Sequence, residues 1–168
     1  MRFYYDGLKS RSRGYLPHWE ADRGIYFVPF RLADSLPLHV VERLRIHVEL
    51  DQGRGKCVLR DPGAAQVVAD ALRFHDAARY ELLAWCVMPN HVHVVGRAGE
   101  LAAIVHSWKS YSINRINALL GRSGRVWARE YYDHLIRSER ELVSTIAYVM
   151  NNPAKAELVD WRWVWSAG

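Results

Sequence analysis

Two histidines, His91 and His93, stand in the run Trp85-Cys-Val-Met-Pro-Asn-His-Val-His-Val-Val95. In a β-strand, side chains two positions apart share a face. Both imidazoles then project together, and Val92 and Val94 turn to the opposite side, toward a core. Two imidazoles one pleat apart are half of a metal site. Farther along, Glu141, Thr145, Tyr148 and Asn152 recur at three- and four-residue steps and share one polar stripe of a helix. Its apolar face carries Leu142, Val143, Ile146, Val149 and Met150. If the polar stripe faces the histidines, two imidazoles and the Asn152 amide oxygen can hold a divalent cation, with Tyr148 beside it. A phenol titrates near pH ~10 and is a weak nucleophile at neutral pH. A metal ion on a scissile phosphate orients the phosphorus and offsets the developing charge. Attack by the phenolate would leave a covalent phosphotyrosine and a free sugar hydroxyl, so strands can be rejoined without ATP.

Each signal also has a plainer reading. A bare His-x-His in a strand is more often structural than metal-binding. Tyrosine is common at half-buried positions, and Asn152 before Pro153 can simply end a helix. Tyr131 and Tyr132 are rival nucleophiles, ranked lower because they sit in an expected strand without an amide partner. Tyr111 and Trp127 read as core, Asn90 as turn chemistry, and His134 either as a neighbour of the site or as a structural histidine.

The elements that must position these groups follow from periodicity and punctuation. Residues 1–20 read as an irregular basic arm. Residues 24–32 read as a strand in which Pro29 implies an edge or a bulge. A helix is expected from Ser35 to Gly53, and another after the Asp61-Pro62 start signal. Residues 80–88 and 91–95 form a hairpin broken at Pro89-Asn90. Leu101, Ile104, Val105, Trp108, Tyr111 and Ile116 mark a long amphipathic helix ended by Gly121. Residues 131–136 read as a further strand, residues 139–151 as a helix stopped by Pro153, and the aromatic tail 161–165 as a segment that packs back. The order predicts an α+β domain, a ferredoxin-like split βαβ arrangement with an antiparallel sheet covered on one face.

The chain has 168 residues, half of them apolar, enough for a single domain with one core. A formal net charge of +5 and a pI near 9.4 suit a polyanionic partner such as nucleic acid. Cys57 and Cys86 are too few for a disulfide framework or a four-thiolate zinc site. Neither a signal core nor a membrane-length apolar run is found, so a cytoplasmic, nucleoid-associated protein is expected. Arg11 and Arg13 of the arm, with Lys109, Arg115, Arg125, Arg137 and Lys155, are the candidate DNA-phosphate contacts.

The blocks MPNHVHVV, YYDHLIRSE (131–139) and AYVMNNPAKAELV (147–159), in this order, resemble the single-tyrosine HUH transposases, in particular the branch of REP-associated tyrosine transposases (RAYTs). The resemblance covers nearly the whole chain. It implies the ferredoxin-like HUH fold, Tyr148 as nucleophile, and His91, His93 and Asn152 as ligands of Mg or Mn. It also implies cleavage of single-stranded DNA beside hairpins of palindromic repeats through a 5′-phosphotyrosine, by a monomer or homodimer. Two positions depart from the family pattern: Pro29 replaces a common Thr, and Glu157 a common Gly. The alternatives are a domesticated hairpin-binding protein without chemistry, and a metal-dependent nuclease that uses water.

Overall fold

The computed structural model describes residues 9–12, 17–21, 23–35 and 54–168. The helix expected from Ser35 to Gly53 falls largely outside these residues, as does Arg13. Lys9–Ser12 (β1) and Pro17–Glu20 (β2) pair as a two-stranded antiparallel sheet, so part of the arm expected to be irregular is a hairpin.

The main sheet is antiparallel throughout. Its strands are Gly24–Arg31 (β3), Tyr80–Val87 (β4), His91–Ala98 (β5), His134–Leu135 (β6) and Val164–Ser166 (β7), in the order β6-β3-β5-β4-β7. Helices Pro62–Arg73 (α1) and Leu101–Leu119 (α2) follow β3 and β5, and Glu139–Lys155 (α3) follows β6. β3 and β4 run the same way with β5 between them, the split βαβ arrangement expected of a ferredoxin-like sheet. Asp61 caps α1 by accepting from the Ala64 N–H at 2.9 Å, with Pro62 in the first turn, as the Asp-Pro signal predicts.

Helices cover both faces of the sheet, not one. Tyr26, Val28, Phe30, Trp85, Val92 and Val94 pack with α1 and α2. Ile25, Phe27, Ala84, Cys86 and Val95 pack with Leu142 and Val149 of α3. The second layer could not be read from β5 itself, because its outward residues beyond Val95 are histidines rather than a continuous apolar row. A bulge between Leu82 and Ala84 adds one residue to β4 and shifts its alternation by one, so that Leu82 and Trp85, three apart, share a core.

Proline positions explain two boundaries. Pro29 pairs with His93 of β5, and its carbonyl accepts from the Tyr132 N–H at 3.1 Å on the other side. The nitrogen and carbonyl of one strand residue face the same way, so the missing N–H costs the β5 ladder nothing. Pro153 lies inside α3 rather than stopping it. It sits in the last turn, and the helix closes in a Schellman motif: Glu157 N–H donates to Ala154 O and Leu158 N–H to Pro153 O. α2 ends in the same way through Gly121. Residues 131–133 are not strand; β6 is only His134–Leu135. The tail does pack back, as β7 on β4, with the Trp161 Nε1–H donated to Val87 O at 2.7 Å.

Candidate functional site

Alternation along β5 sends Val92 and Val94 into the core under α1 and α2 and turns His91 and His93 toward the α3 side. Both imidazoles are fully buried. Their Nε2 atoms stand 2.8 Å apart. The turn Met88-Pro89-Asn90-His91, closed by Met88 N–H to His91 O, sets the first ring through Asn90. The Asn90 Nδ2 donates to Arg54 O at 3.1 Å, and Oδ1 lies 2.7 Å from His91 Nδ1. The first bond assigns the amide orientation. The remaining oxygen can only accept, so His91 carries its proton on Nδ1 and keeps a lone pair on Nε2. A hydrogen bond that fixes the tautomer and aims the free nitrogen is what a metal-ligating histidine needs. Sequence reasoning saw Asn90 only as a turn residue; its place directly before the first histidine was the available signal.

α3 lies across this face. Ser138 caps it by accepting from the Glu141 N–H. Glu141 accepts from the Arg137 N–H and pairs with His134 of β6 at 2.7 Å, tying the helix start to the sheet edge. Burial alone would raise the Glu141 carboxyl; the Arg137 N–H and His134 outweigh it and hold it below its ordinary value. Two turns on, the Tyr148 ring meets His93 edge-on with centroids 5.4 Å apart, and meets Phe27 at 6.0 Å. Phe27 in turn stacks on His93 at 5.4 Å. The Lys155 ammonium sits 5.1 Å from the Tyr148 ring centre. One turn beyond Tyr148, Asn152 is buried, and neither its Oδ1 nor its Nδ2 has a hydrogen-bond partner among the described residues. An unpaired buried amide is costly and uncommon.

His91, His93 and Tyr148 are thus brought together, with Asn152 on the same helix as the tyrosine. Among the described residues no three His, Cys, Asp or Glu cluster as a metal site, so a cation on this histidine pair would draw its further ligands from amides, water or substrate. Two nitrogens bound cis to one ion at ~2.1 Å lie roughly 3 Å apart, close to the separation of the two Nε2 atoms. The donor chemistry therefore fits a divalent ion.

The basic candidates divide. Arg115, Arg125, Arg137 and Lys155 are exposed, and Arg11 lies on β1. Lys109 is engaged: its ammonium donates to the carbonyls of Ala128, Arg129 and Glu130 and lies over the Phe30 and Tyr131 rings. Burial pulls it down to about 8. It fastens the segment before β6 onto α2. Trp127 is buried, as expected, with Nε1–H donated to Ser112 Oγ. Tyr111 is not core: it is half-buried, stacked on the exposed Phe74 and covered by Arg115.

The fold and this cluster define a class: an α+β domain of ferredoxin-like strand order, with a histidine pair on the central strand and a tyrosine-bearing helix across it. The model of the IS200-like transposases matches residues 41–152, and the chain belongs to that family. A protein of Haemophilus influenzae named as a REP-associated tyrosine transposase is 24% identical over 94 residues, 48% of this chain and 53% of that one. The chain thus spans about half the length of this curated relative. A solved REP-associated tyrosine transposase, bound in its crystal to a REP hairpin, overlays with a TM-score of 0.59 at 16% identity, covering 93% of this chain and 82% of that one. A transposase structure from Deinococcus radiodurans, 18% identical, reaches a TM-score of 0.42 over 84% of this chain and 96% of its own; this overlap adds nothing to the fold argument. The resemblance read from the three sequence blocks is borne out. Among the described residues, no helix is long and apolar enough to cross a membrane.

Proposed function

We propose that this chain is a DNA nicking and joining transposase that acts on a single strand beside a hairpin, with Tyr148 as its nucleophile. The observation that carries the reading is the juxtaposition of the two Nε2 atoms 2.8 Å apart with the Tyr148 ring against His93. The unpartnered Asn152 amide one helical turn farther on supports it. His91, His93 and Asn152 would hold a divalent ion, Mg²⁺ or Mn²⁺. When bound, the ion supplies Lewis-acid withdrawal of charge from the scissile phosphate.

The Tyr148 Oη forms a bond to phosphorus as the P–O3′ bond breaks. The phenol proton passes to water, the departing 3′ oxygen takes one up, and the downstream strand stays on the enzyme as a 5′-phosphotyrosine. Phe27 and the edge of His93 hold the phenol in one rotamer, which limits the orientational freedom lost on attack. Lys155, beside the ring, adds a positive charge where the phosphate must dock, and Arg115, Arg125 and Arg137 neutralise flanking phosphates. Two of the matched proteins are REP-associated tyrosine transposases, and one of these is solved on a REP hairpin, which supports hairpin DNA as the partner; action on DNA would place the chain at the nucleoid.

The test is a denaturing gel of labelled hairpin oligonucleotides incubated with protein and Mn²⁺. A protein-linked band is expected that EDTA prevents and that Tyr148→Phe loses while still binding DNA. Cleavage without that band, unchanged in Tyr148→Phe, would instead assign the chemistry to water; metal-independent binding with no cleavage would assign a binding-only role.

A further inference from the structure

At the end of the sheet away from the histidines lies a cleft of about 640 Å³ whose lining includes Arg23, Arg79, Glu81 and Arg97. Among the described residues that line it, three guanidinium groups face one carboxylate. Glu81 is spent on Arg97, whose Nε lies 3.0 Å from its Oε2. Arg23 and Arg79 are exposed and have no carboxylate partner among the described residues. The walls between them are small: Ala77, Ala78, Ala98 and Gly99 let a bulky group approach the backbone. Arg23 itself takes a left-handed conformation, φ 64°, as does Ala77. Holding non-glycine residues there costs ~1 kcal/mol or more each, and strain of this kind gathers at binding clefts. The positive end of α2 begins just past Gly99. The carboxylates nearby are the exposed Glu100, the N-cap of α2, which makes no side-chain capping bond, and the half-buried Asp76, whose Oδ1 accepts from the Ala77 and Leu82 N–H groups.

We infer that this cleft is a second nucleic-acid contact, in which Arg23 and Arg79 grip backbone phosphates of the hairpin stem. The inference rests on the proposed function for the identity of the DNA. Arginine forks match phosphate oxygens bidentately, and two unpaired forks spread across an open cleft suit successive backbone phosphates rather than one enclosed anion. From His91 to Arg97 along β5 is six residues, roughly 20 Å at ~3.3 Å per residue. That equals about six phosphate steps of a duplex strand at ~3.4 Å each. A stem of about six or more base pairs beside a nick at the histidine end spans the distance to the arginines.

The experiment compares wild type with the Arg23→Gln/Arg79→Gln double variant of the full chain, by fluorescence anisotropy against salt. One probe is a hairpin with a single-stranded flank; the other is the flank alone. Removing two phosphate contacts should make the log–log salt slope for the hairpin shallower by about 1.8, at ~0.9 per contact. Hairpin affinity should fall at least ten-fold at low salt, with flank affinity unchanged, and Arg23→Lys/Arg79→Lys should keep the wild-type slope. An unchanged hairpin slope, or an equal loss on both probes, overturns the inference. Formation of the Tyr148 adduct on the flank is read separately: loss of stem binding with no adduct keeps the cleft and sinks the nuclease reading, and the reverse result does the opposite.

Discussion

Asn90 offers the sharpest test of how the histidine pair is prepared. Its amide is buried, 1% exposed, and bridges Arg54 O to His91 Nδ1. Asn90→Ala removes both bonds, at ~1 kcal/mol each, and leaves the His91 Nδ1–H without that acceptor; unfolding free energy should drop by about 2 kcal/mol. The freed ring can rotate or change tautomer. Loss of such an orienting partner costs metal affinity roughly 10- to 100-fold, or ~1.4–2.8 kcal/mol. Asn90→Asp separates the two effects. A carboxylate still accepts from His91 Nδ1–H but meets Arg54 O with no donor, so metal affinity should return while stability does not. Calorimetric titration with Mn²⁺, run beside urea unfolding, reads both quantities. If Asn90→Ala binds Mn²⁺ as wild type does while losing stability, Asn90 is only a turn residue and the tautomer argument is wrong.

Two further outcomes follow from the same structure. Lys109 falls from its ordinary 10.5 to about 8 in the folded protein, so between those values the unfolded chain holds a proton that the folded one has released. Stability should rise as pH climbs from 8 to 10.5, by up to about 3 kcal/mol at ~1.36 kcal/mol per unit. Urea midpoints of wild type and Lys109→Met across that window should diverge, and parallel curves would count against burial as the cause. Glu157, in the left-handed region at φ 54°, bears a penalty of ~1–2 kcal/mol that glycine escapes, partly offset by the unfolded-state freedom of glycine. Glu157→Gly should therefore raise unfolding free energy by about 0.5–1 kcal/mol in a denaturant melt, and any loss would argue against the Schellman geometry.

That last position shows how much the sequence could say about helix ends. α2 and α3 close with the same pair of backbone bonds, yet only Gly121 announces it; Glu157 does not, because the hydrogen bonds that hold it in place come from the rest of the turn. In the same way, Pro153 reads as a stop when only local sterics are counted, but α3 runs two residues past it and closes through backbone bonds onto Pro153 O and Ala154 O.

What the sequence determined by itself was everything governed by spacing along one element. Period two put His91 and His93 on one side of β5 and Val92 and Val94 on the other. Steps of three and four put Glu141, Thr145, Tyr148 and Asn152 on one stripe of α3, and Asp61-Pro62 began α1. What tertiary structure decided was which of those faces meet. The placing of α3 on a second face of the sheet, the Asn90 bridge from Arg54 to His91, the engagement of Lys109 by three carbonyls, and the gathering of Arg23, Arg79 and Arg97 all join residues far apart in the chain. Local periodicity cannot encode such contacts, because they depend on strand order and on the angle at which each helix crosses the sheet. Those are set by the packing of the two cores together, not by any one segment.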